Sequence, residues 1–475
     1  MSSKGIVRAP TGMEGLDSVI NGGFPRGSLI LVAGNPGTGK TVFCSQWIYK
    51  GCTDYDERGI YASFAESRET FFDNMRSFGF NFEDLEKEGR FSFLDLVTVK
   101  EEGISRVMER ILNEVFSLKA TRLVIDSFSA LAQAFKEPID TRSVLHTILS
   151  KMIRRVGCTT MLVVEVPYGE NKIGHGIEEF IADAVLHFSR RELDDVIIRE
   201  LTLLKIRGTE VTYPKLAFTL KGGFQVFSPI TIRGVEQLLR KYKIIPHHED
   251  YFSIGIRDLD EVLGRMFRRG CYDLLEIEKD IAFPIQHLIS PTICNFLNQG
   301  YGVVVLPPQG ISPPTIKKSL KPYVGRQTFQ DNLRIMEYRG KTDKPYIIPL
   351  EGRSLEEDME VVWNIISDLR EKTHKPVLSI MGFDTVEYTY GEREALKILG
   401  EDIARTRNLE DLRINIIRPT IHIADQLRAL ADIYLKVEQI HGALFLRGIK
   451  PKTPLMNVKI SITNEFSEVK LTPII

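Results

Sequence analysis

The run Gly34-Asn35-Pro36-Gly37-Thr38-Gly39-Lys40-Thr41 fits the pattern GxxxxGK[ST] at every fixed position. It follows the apolar stretch LILVA and opens a helical stretch from Lys40 to about Lys50. A strand, a glycine-rich turn and a helix in that order constrain a chain more than its composition does. The glycines let successive backbone N–H groups curl around an anion, and the helix N-terminus adds partial positive charge. In such a loop the lysine reaches the β- and γ-phosphates of a nucleoside triphosphate and the hydroxyl of the last residue binds Mg²⁺. ATP and Mg²⁺ are therefore the expected cofactors, with residues 34–41 as the cradle and Thr41 as a metal ligand.

Around this loop, strands alternate with helices. SLILVAG, GIYASF, RFSFLDL, RLVIDS and TTMLVVEV read as strands, and ESRETFFDNMRSFG, GISRVMERILNEVFSLK and TRSVLHTILSKMIRRVG as helices. That alternation predicts an α/β fold: a mostly parallel twisted sheet with helices on both faces. Ligands bind such sheets at the carboxyl ends of the strands. Asp126 ends the apolar run Leu123-Val124-Ile125, where it can hold Mg²⁺ or, with Ser127, cap a turn. Glu66 follows the strand IYASF and is the candidate general base; Glu165 ends MLVVE and is a candidate γ-phosphate sensor. Either acid could also be a solvated loop residue.

The chain repeats itself. Gly12, Leu16, Asp17 and Gly27 recur as Gly255, Leu259, Asp260 and Gly270, each 243 positions later, and Gly59 recurs as Gly302. A constant, gap-free offset points to tandem duplication. The expected organisation is a phosphate-loop domain over residues 1–227, a basic linker with a short helix over 228–250, and a second domain over 251–475. In the second half YDLLEIE, YGVVVLP and PVLSIMGF read as strands, with helices ISPTICNFLNQG and DMEVVWNIISDLREK between them.

Composition narrows the function. With 62 basic and 63 acidic residues the formal net charge is −1, so no overall field draws the chain to nucleic acid or an anionic membrane. The segment Pro167–Phe180, a Gly-rich loop around GENKIGHG with His175, carries one Lys and three Glu, which disfavours DNA strand exchange. Five cysteines without a CxxC pair suggest free thiols in a reducing compartment, and the histidines are not at metal spacing. His247 and His248 are expected to be solvated in the linker. No apolar run approaches the ~20 residues of a membrane span, and no signal-peptide core is visible, so a cytoplasmic placement is expected.

The stretches at 11–41, 63–80, 123–131, 176–188 and 203–209 together resemble the KaiC branch of the RecA-like ATPases, across nearly the whole first half and in the family's order. The resemblance implies a RecA-like fold, ATP bound at the interfaces of a homo-oligomer, a hexameric ring above all, and a KxRG motif reaching a neighbour's phosphates. Here that motif is Lys205-Ile206-Arg207-Gly208, making Lys205 and Arg207 candidate catalytic residues in trans; alone, they would read as a solvated strand edge. The family usually has two adjacent glutamates where this chain has Ala65-Glu66. A slow ATPase serving as a regulatory switch for a protein partner is the leading expectation, and a non-hydrolysing nucleotide-binding regulator the alternative.

The second half resembles the second KaiC domain more weakly, through SIGIRDLDEVL and ALADIYL. The offset maps Gly34, Gly39, Lys40 and Thr41 onto Ile277, Ala282, Phe283 and Pro284, and Glu66 onto Gln309. Aligning Phe128 with Phe383 puts Met381 in place of Asp126, with Asp384 nearby. Lys205 falls on Phe445, and Arg447 is the counterpart of Arg207. The family's phosphorylated Ser-Thr pair aligns with Arg428 and Ala429. A loop without lysine or hydroxyl, and with a proline lacking N–H, predicts a second domain that holds no ATP.

Overall fold

The computed structural model describes residues 6–97, 104–132, 156–169, 181–229, 242–281, 283–340, 344–462 and 467–474. Most of the helix read over TRSVLHTILSKMIRRVG, most of the GENKIGHG loop, the linker helix and Ala282 lie outside the described residues. The chain divides into two compact units, with the main break between Pro229 and Ile230.

The first unit is built on β1 (Arg8–Ala9), β2 (Phe24–Pro25), β3 (Leu29–Gly34), β4 (Gly59–Ser63), β5 (Phe91–Asp95), β6 (Arg122–Asp126), β7 (Thr159–Glu165), β8 (Ala184–Leu193), β9 (Val196–Ile206), β10 (Lys215–Thr219) and β11 (Gln225–Phe227). Its helices are α1 (Glu14–Val19), α2 (Lys40–Asp54), α3 (Arg68–Ser77), α4 (Phe82–Lys87), α5 (Ile104–Leu118) and α6 (Phe128–Ala132). Nine strands form one sheet in the order β11-β10-β9-β8-β3-β7-β6-β4-β5. It is parallel from β8 to β5 and antiparallel from β8 through β11.

The central strand shows why its sequence is apolar throughout. A strand buried on both faces has no solvent side, so polar alternation disappears. Ile30 and Val32 pack on one face with Phe43, Trp47 and Phe188. Leu29, Leu31 and Ala33 pack on the other with Val107, Met108, Ile111 and Val115. Those last four recur at helical spacing along α5, which covers that face. At the amino end of β6 the fully buried Arg122 pairs with Glu57 and donates to Pro10 O at 2.8 Å, so the charge is not left without a partner.

The second unit repeats the order. Its strands are β12 (Tyr272–Ile277), β13 (Gly302–Leu306), β14 (Leu333–Tyr338), β15 (Ile347–Leu350), β16 (Val377–Gly382), β17 (Leu412–Ile417), β18 (Tyr434–Ile440), β19 (Ala443–Lys450), β20 (Met456–Ile462) and β21 (Ser467–Pro473). Helices α7 (Arg257–Val262) and α8 (Gln286–Asn298) stand where α1 and α2 stand in the first unit, and six more follow. The sheet order β14-β13-β16-β17-β12-β18-β19-β20-β21 matches the first sheet strand for strand, with β15 added outside β14. The match reaches single hydrogen bonds. Asp17 accepts from Thr11 N, and Asp260 from Ile254 N. Asp183 accepts from Leu29 N, and Asp432 from Tyr272 N. These are two tandem, duplicated RecA-like α/β units.

One expectation fails here. His247 is not solvated: its ring packs against Phe252, Phe296 and Tyr301, and Nδ1 accepts from Ser253 N at 3.1 Å. The aromatic residues that enclose it lie further along the chain, so its neighbours in sequence gave no hint. Burial, with Lys375 and Arg269 nearby, pushes its pKa down to about 4. The unfolded chain then binds a proton that the folded chain refuses, so stability present above about pH 6.5 is lost as pH falls toward 4. Urea unfolding followed by Trp363 in a Trp47→Phe background should show this acid loss. A His247→Phe variant in the same background should lose less over that window, by on the order of 2 kcal/mol.

Candidate functional site

The site is assembled at the carboxyl edge of the first sheet. Gly34 ends β3, and a Cβ there would lie 2.3 Å from Phe188 O on β8, so only glycine lets the two strands run together into the loop. Gly39 caps α2 with φ 104°, a conformation that L side chains rarely adopt. Thr38 Oγ1 donates to Asn35 O at 2.8 Å, and Asn35 Nδ2 donates to Val166 O at 2.9 Å, which ties the loop to the end of β7. Lys40 Nζ folds back over the loop and donates to Gly34 O at 2.8 Å and Asn35 O at 2.9 Å. Its burial lowers its pKa, opposed by the charges of Glu165 and Asp126.

Asp126 lies at the end of β6, separated from β3 by β7. Its Oδ2 accepts from Thr41 Oγ1 at 2.9 Å and from the fully buried Tyr61 OH at 2.5 Å. Burial raises its pKa, against the pull of Tyr61, Thr41 and Lys40. The capping role open to either residue falls to Ser127, whose Oγ accepts from Ala130 N at 3.3 Å. The Asp126–Ser127 peptide is cis.

Glu66 follows β4, and β4 pairs directly with β6, Ser63 opposite Asp126. Ser63 Oγ accepts from Glu66 N at 3.0 Å and donates to Glu66 O at 2.8 Å, which fixes the backbone of the turn. The Glu66 carboxyl is half-buried; desolvation, then the Asp126 charge, raises its pKa, and Asn74 opposes them. Its Oε2 is buried without a hydrogen-bond partner. Glu165 ends β7 in register with Gly34 and is exposed, its backbone N donating to Ser129 Oγ at 2.9 Å. Loop, Thr41, Asp126, Glu66 and Glu165 thus share one sheet edge.

Lys205 and Arg207 do not join them. Ile206 on β9 pairs with Ala184 on β8, which in turn stands beside Ile30. That level lies four residues before Gly34, about 13 Å back along the strands. Arg207 instead pairs with Asp183 at 3.2 Å at the amino edge. Two other arginines occupy the loop side of the same hairpin. Arg199 Nη1 donates to Gly37 O at 3.0 Å, and Arg190 Nη2 donates to Pro36 O at 3.4 Å and to Tyr168 OH at 2.6 Å. The sequence reading missed both. The signal was the run Ala184–Ile206, whose central Asp194-Asp195 turns it into a long hairpin with Arg190 opposite Arg199.

The second unit's corresponding edge is closed. Ile281, Phe283 and Ile285, in and around the stretch that replaces the phosphate loop, are buried in the core. Helix α8 begins at Gln286, three residues later than α2 would by the offset, beyond Pro284. Gln309 N donates to both Asp384 carboxyl oxygens, at 3.3 and 3.2 Å. The β12–β17 register ends at Glu276 with Ile417; one residue further along, Ile277 and Arg418 correspond to Gly34 and Glu165, so a cation follows the strand where the first unit has an acid. Arg418 Nη1 donates to Lys279 O at 3.4 Å. The counterpart assigned to Arg207 needs correction: Arg207 is exposed beyond the end of β9, whereas Arg447 is buried within β19, 3.2 Å from Glu438. The Arg-Gly pair recurs in sequence, but β19 runs on past it, which carries Arg447 into the sheet.

Residues 9–229 match the family model described as "ATPase: KaiC", and residues 241–345 match one described as "GvpD basic region 2". The chain is 30% identical over 277 residues to the circadian clock oscillator protein KaiC of Thermostichus vulcanus, covering 56% of this chain and 51% of that protein. It is 29% identical over 227 residues to the UPF0273 protein MJ1359 of Methanocaldococcus jannaschii, covering 45% of this chain and 93% of that one. The crystal structure of the KaiC-like protein PH0186 from Pyrococcus horikoshii OT3 is 34% identical, covering 47% of this chain and 99% of that chain, with a TM-score of 0.43. The chain spans about half the length of the clock proteins it matches. Among the described residues no helix is long and apolar enough to cross a membrane. Over residues 9–229, which make up its first unit, the chain is similar to the KaiC-like, RecA-type ATPases.

Proposed function

We propose that the first unit is a slow, Mg²⁺-dependent ATPase that acts as a regulatory switch through a homo-oligomer, while the second unit binds no nucleotide. The observation that carries this reading is the placement of Thr41, Asp126 and Glu66 on one sheet edge, with a buried Glu66 oxygen lacking a partner. The donor set fits the cofactors. Thr41 and Asp126 offer hard oxygens suited to Mg²⁺, and the Lys40 ammonium rests on carbonyl oxygens that a phosphate can replace. When bound, Mg²⁺ neutralises charge on the β- and γ-phosphates.

Each residue then has a distinct task. Residues 34–39 present backbone N–H groups, and Lys40 adds its charge to the γ-phosphate. Glu66 orients the attacking water and takes its proton, a role suited to a carboxyl whose pKa is raised. Glu165 senses the γ-phosphate from the strand between β3 and β6. Lys205 and Arg207, at the amino edge, serve a neighbouring subunit, where cations supplied in trans stabilise transition-state charge. A hexameric ring is the assembly that places them so. The non-hydrolysing alternative rests on Ala65, which leaves Glu66 as the single acid of the usual pair.

Phosphate release by purified protein tests the reading. Turnover should fall at least a hundredfold in Glu66→Gln, with ATP still bound, and no release above an Asp126→Ala blank would leave only the regulator. Lys40→Ala should abolish ATP binding by the whole chain, and nucleotide retained by that variant would place a site in the second unit. Mass in solution should rise to a ring with ATP and Mg²⁺. Tyr61→Phe keeps the ring packing but removes one donor to Asp126. It should weaken nucleotide binding about 5- to 10-fold with Mg²⁺ and little in EDTA, read by titration with a fluorescent ATP analogue.

A further inference from the structure

The core of the second unit encloses a cavity of about 60 Å³ between the sheet and helices α7 and α8. Its walls are apolar, Ile254, Phe267, Leu288 and Leu446 among them, with Thr292 and Asp273 as the polar members. Asp273 is 2% exposed. One carboxyl oxygen accepts from Ile433 N at 3.1 Å, and the other, Oδ2, is buried without a hydrogen-bond partner. Such a group costs stability unless something satisfies it. Duplication supplies the control. The offset that superposes β3 on β12 places Asp273 at the position of Ile30, a fully buried core residue of the first unit. An aliphatic position in one copy is a carboxyl beside a hollow in the other.

We propose that this cavity is a binding site for a very small, largely apolar molecule bearing one oxygen that hydrogen-bonds to Asp273, with short-chain alcohols as the matching chemical class. Size sets the class. An engineered cavity of about 150 Å³ admits benzene, so about 60 Å³ admits some two to three heavy atoms. Wall chemistry excludes an ion, because one carboxyl cannot replace a hydration shell. Burial, with the Asp432 charge adding to it, holds Asp273 well above the usual carboxylate range, which favours the protonated form that can donate a hydrogen bond. The site gives the second unit an input of its own, separate from nucleotide.

Xenon NMR on the full-length protein under gas pressure, with ethanol as competitor, tests the proposal. One saturable xenon site per chain is expected, unchanged in Lys40→Ala and displaced by ethanol. Asp273→Ile, which restores the residue of the first copy, and Leu288→Phe, which fills the space from α8, should each abolish it. Asp273→Val keeps the volume and removes the donor, so xenon should still bind while ethanol competes about tenfold less well. No saturable xenon signal, as when ordered water fills the space, overturns the proposal. So does xenon binding that survives both filling variants, or ethanol competition unchanged in Asp273→Val.

Discussion

A carboxylate held out of water at the end of a central strand organises the first unit. Asp126 is buried, and a charge there must be met by donors from several elements at once. Tyr61 from β4 and Thr41 from α2 donate to the same oxygen, and Lys40 supplies the nearest cation. Each donor depends on a different part of the fold. Tyr61 is fixed by its packing against Phe71 and Phe93. Thr41 is fixed by the sharp loop that glycine permits before α2. The strand order that inserts β7 between β3 and β6 sets the separation across which Thr41 and Asp126 meet. Changes to that order would leave a buried acid unpaired, so the sheet and the site stand or fall together.

The two units share a framework while differing at this edge. The amino-edge pairs, Asp183 with Leu29 N and Asp432 with Tyr272 N, are the same in both. These interactions serve the sheet alone, so loss of nucleotide binding places no demand on them. At the carboxyl edge the second copy lacks the lysine, the hydroxyl and the strand-end aspartate, which Met381 replaces, and hydrophobic burial of Ile281 and Phe283 takes the place of anion binding. A cradle without phosphate would be a set of inward-facing N–H groups with nothing to accept from them. Apolar side chains and the Asp384–Gln309 bonds remove that liability.

Much of this was legible in the sequence because duplication and the loop are both local patterns. The gap-free offset of 243 maps β3 onto β12, β4 onto β13 and α1 onto α7 residue for residue. Past β4 it drifts, since β6 and β16 differ by 255, and the second copy carries the extra strand β15. The carboxyl-edge acids were readable because each ends an apolar run. The antiparallel half was not: β8 and β9 form one long hairpin whose two ends face opposite edges of the sheet. Alternation along a strand says which face a side chain takes, but not which edge it approaches. That is why Arg190 and Arg199 went unread beside the loop. His247 was misplaced for a related reason, since two of its aromatic partners, Phe296 and Tyr301, come from a segment some fifty residues away.

The position of Lys205 and Arg207 bears on how such a site can be regulated. Catalytic cations supplied by the same chain would make turnover a property of the monomer, fixed once the chain folds. Here the hairpin carries them to the amino edge, away from the loop of their own chain, while Arg199 and Arg190 hold the loop from outside through its carbonyl groups. Those two arginines donate to Gly37 O and Pro36 O, so they brace the backbone whose N–H groups must face the phosphates. One β8–β9 hairpin thus shapes the loop at one end and presents a cationic motif at the other. The two ends belong to one antiparallel ladder, regular from Leu186 to Leu193 and shifted in register between Val185 and Leu186, next to Lys205. On the proposed reading, a switch that works through assembly needs such a link between the grip on its own nucleotide and the surface offered to a neighbour, and this hairpin is the element that reaches both.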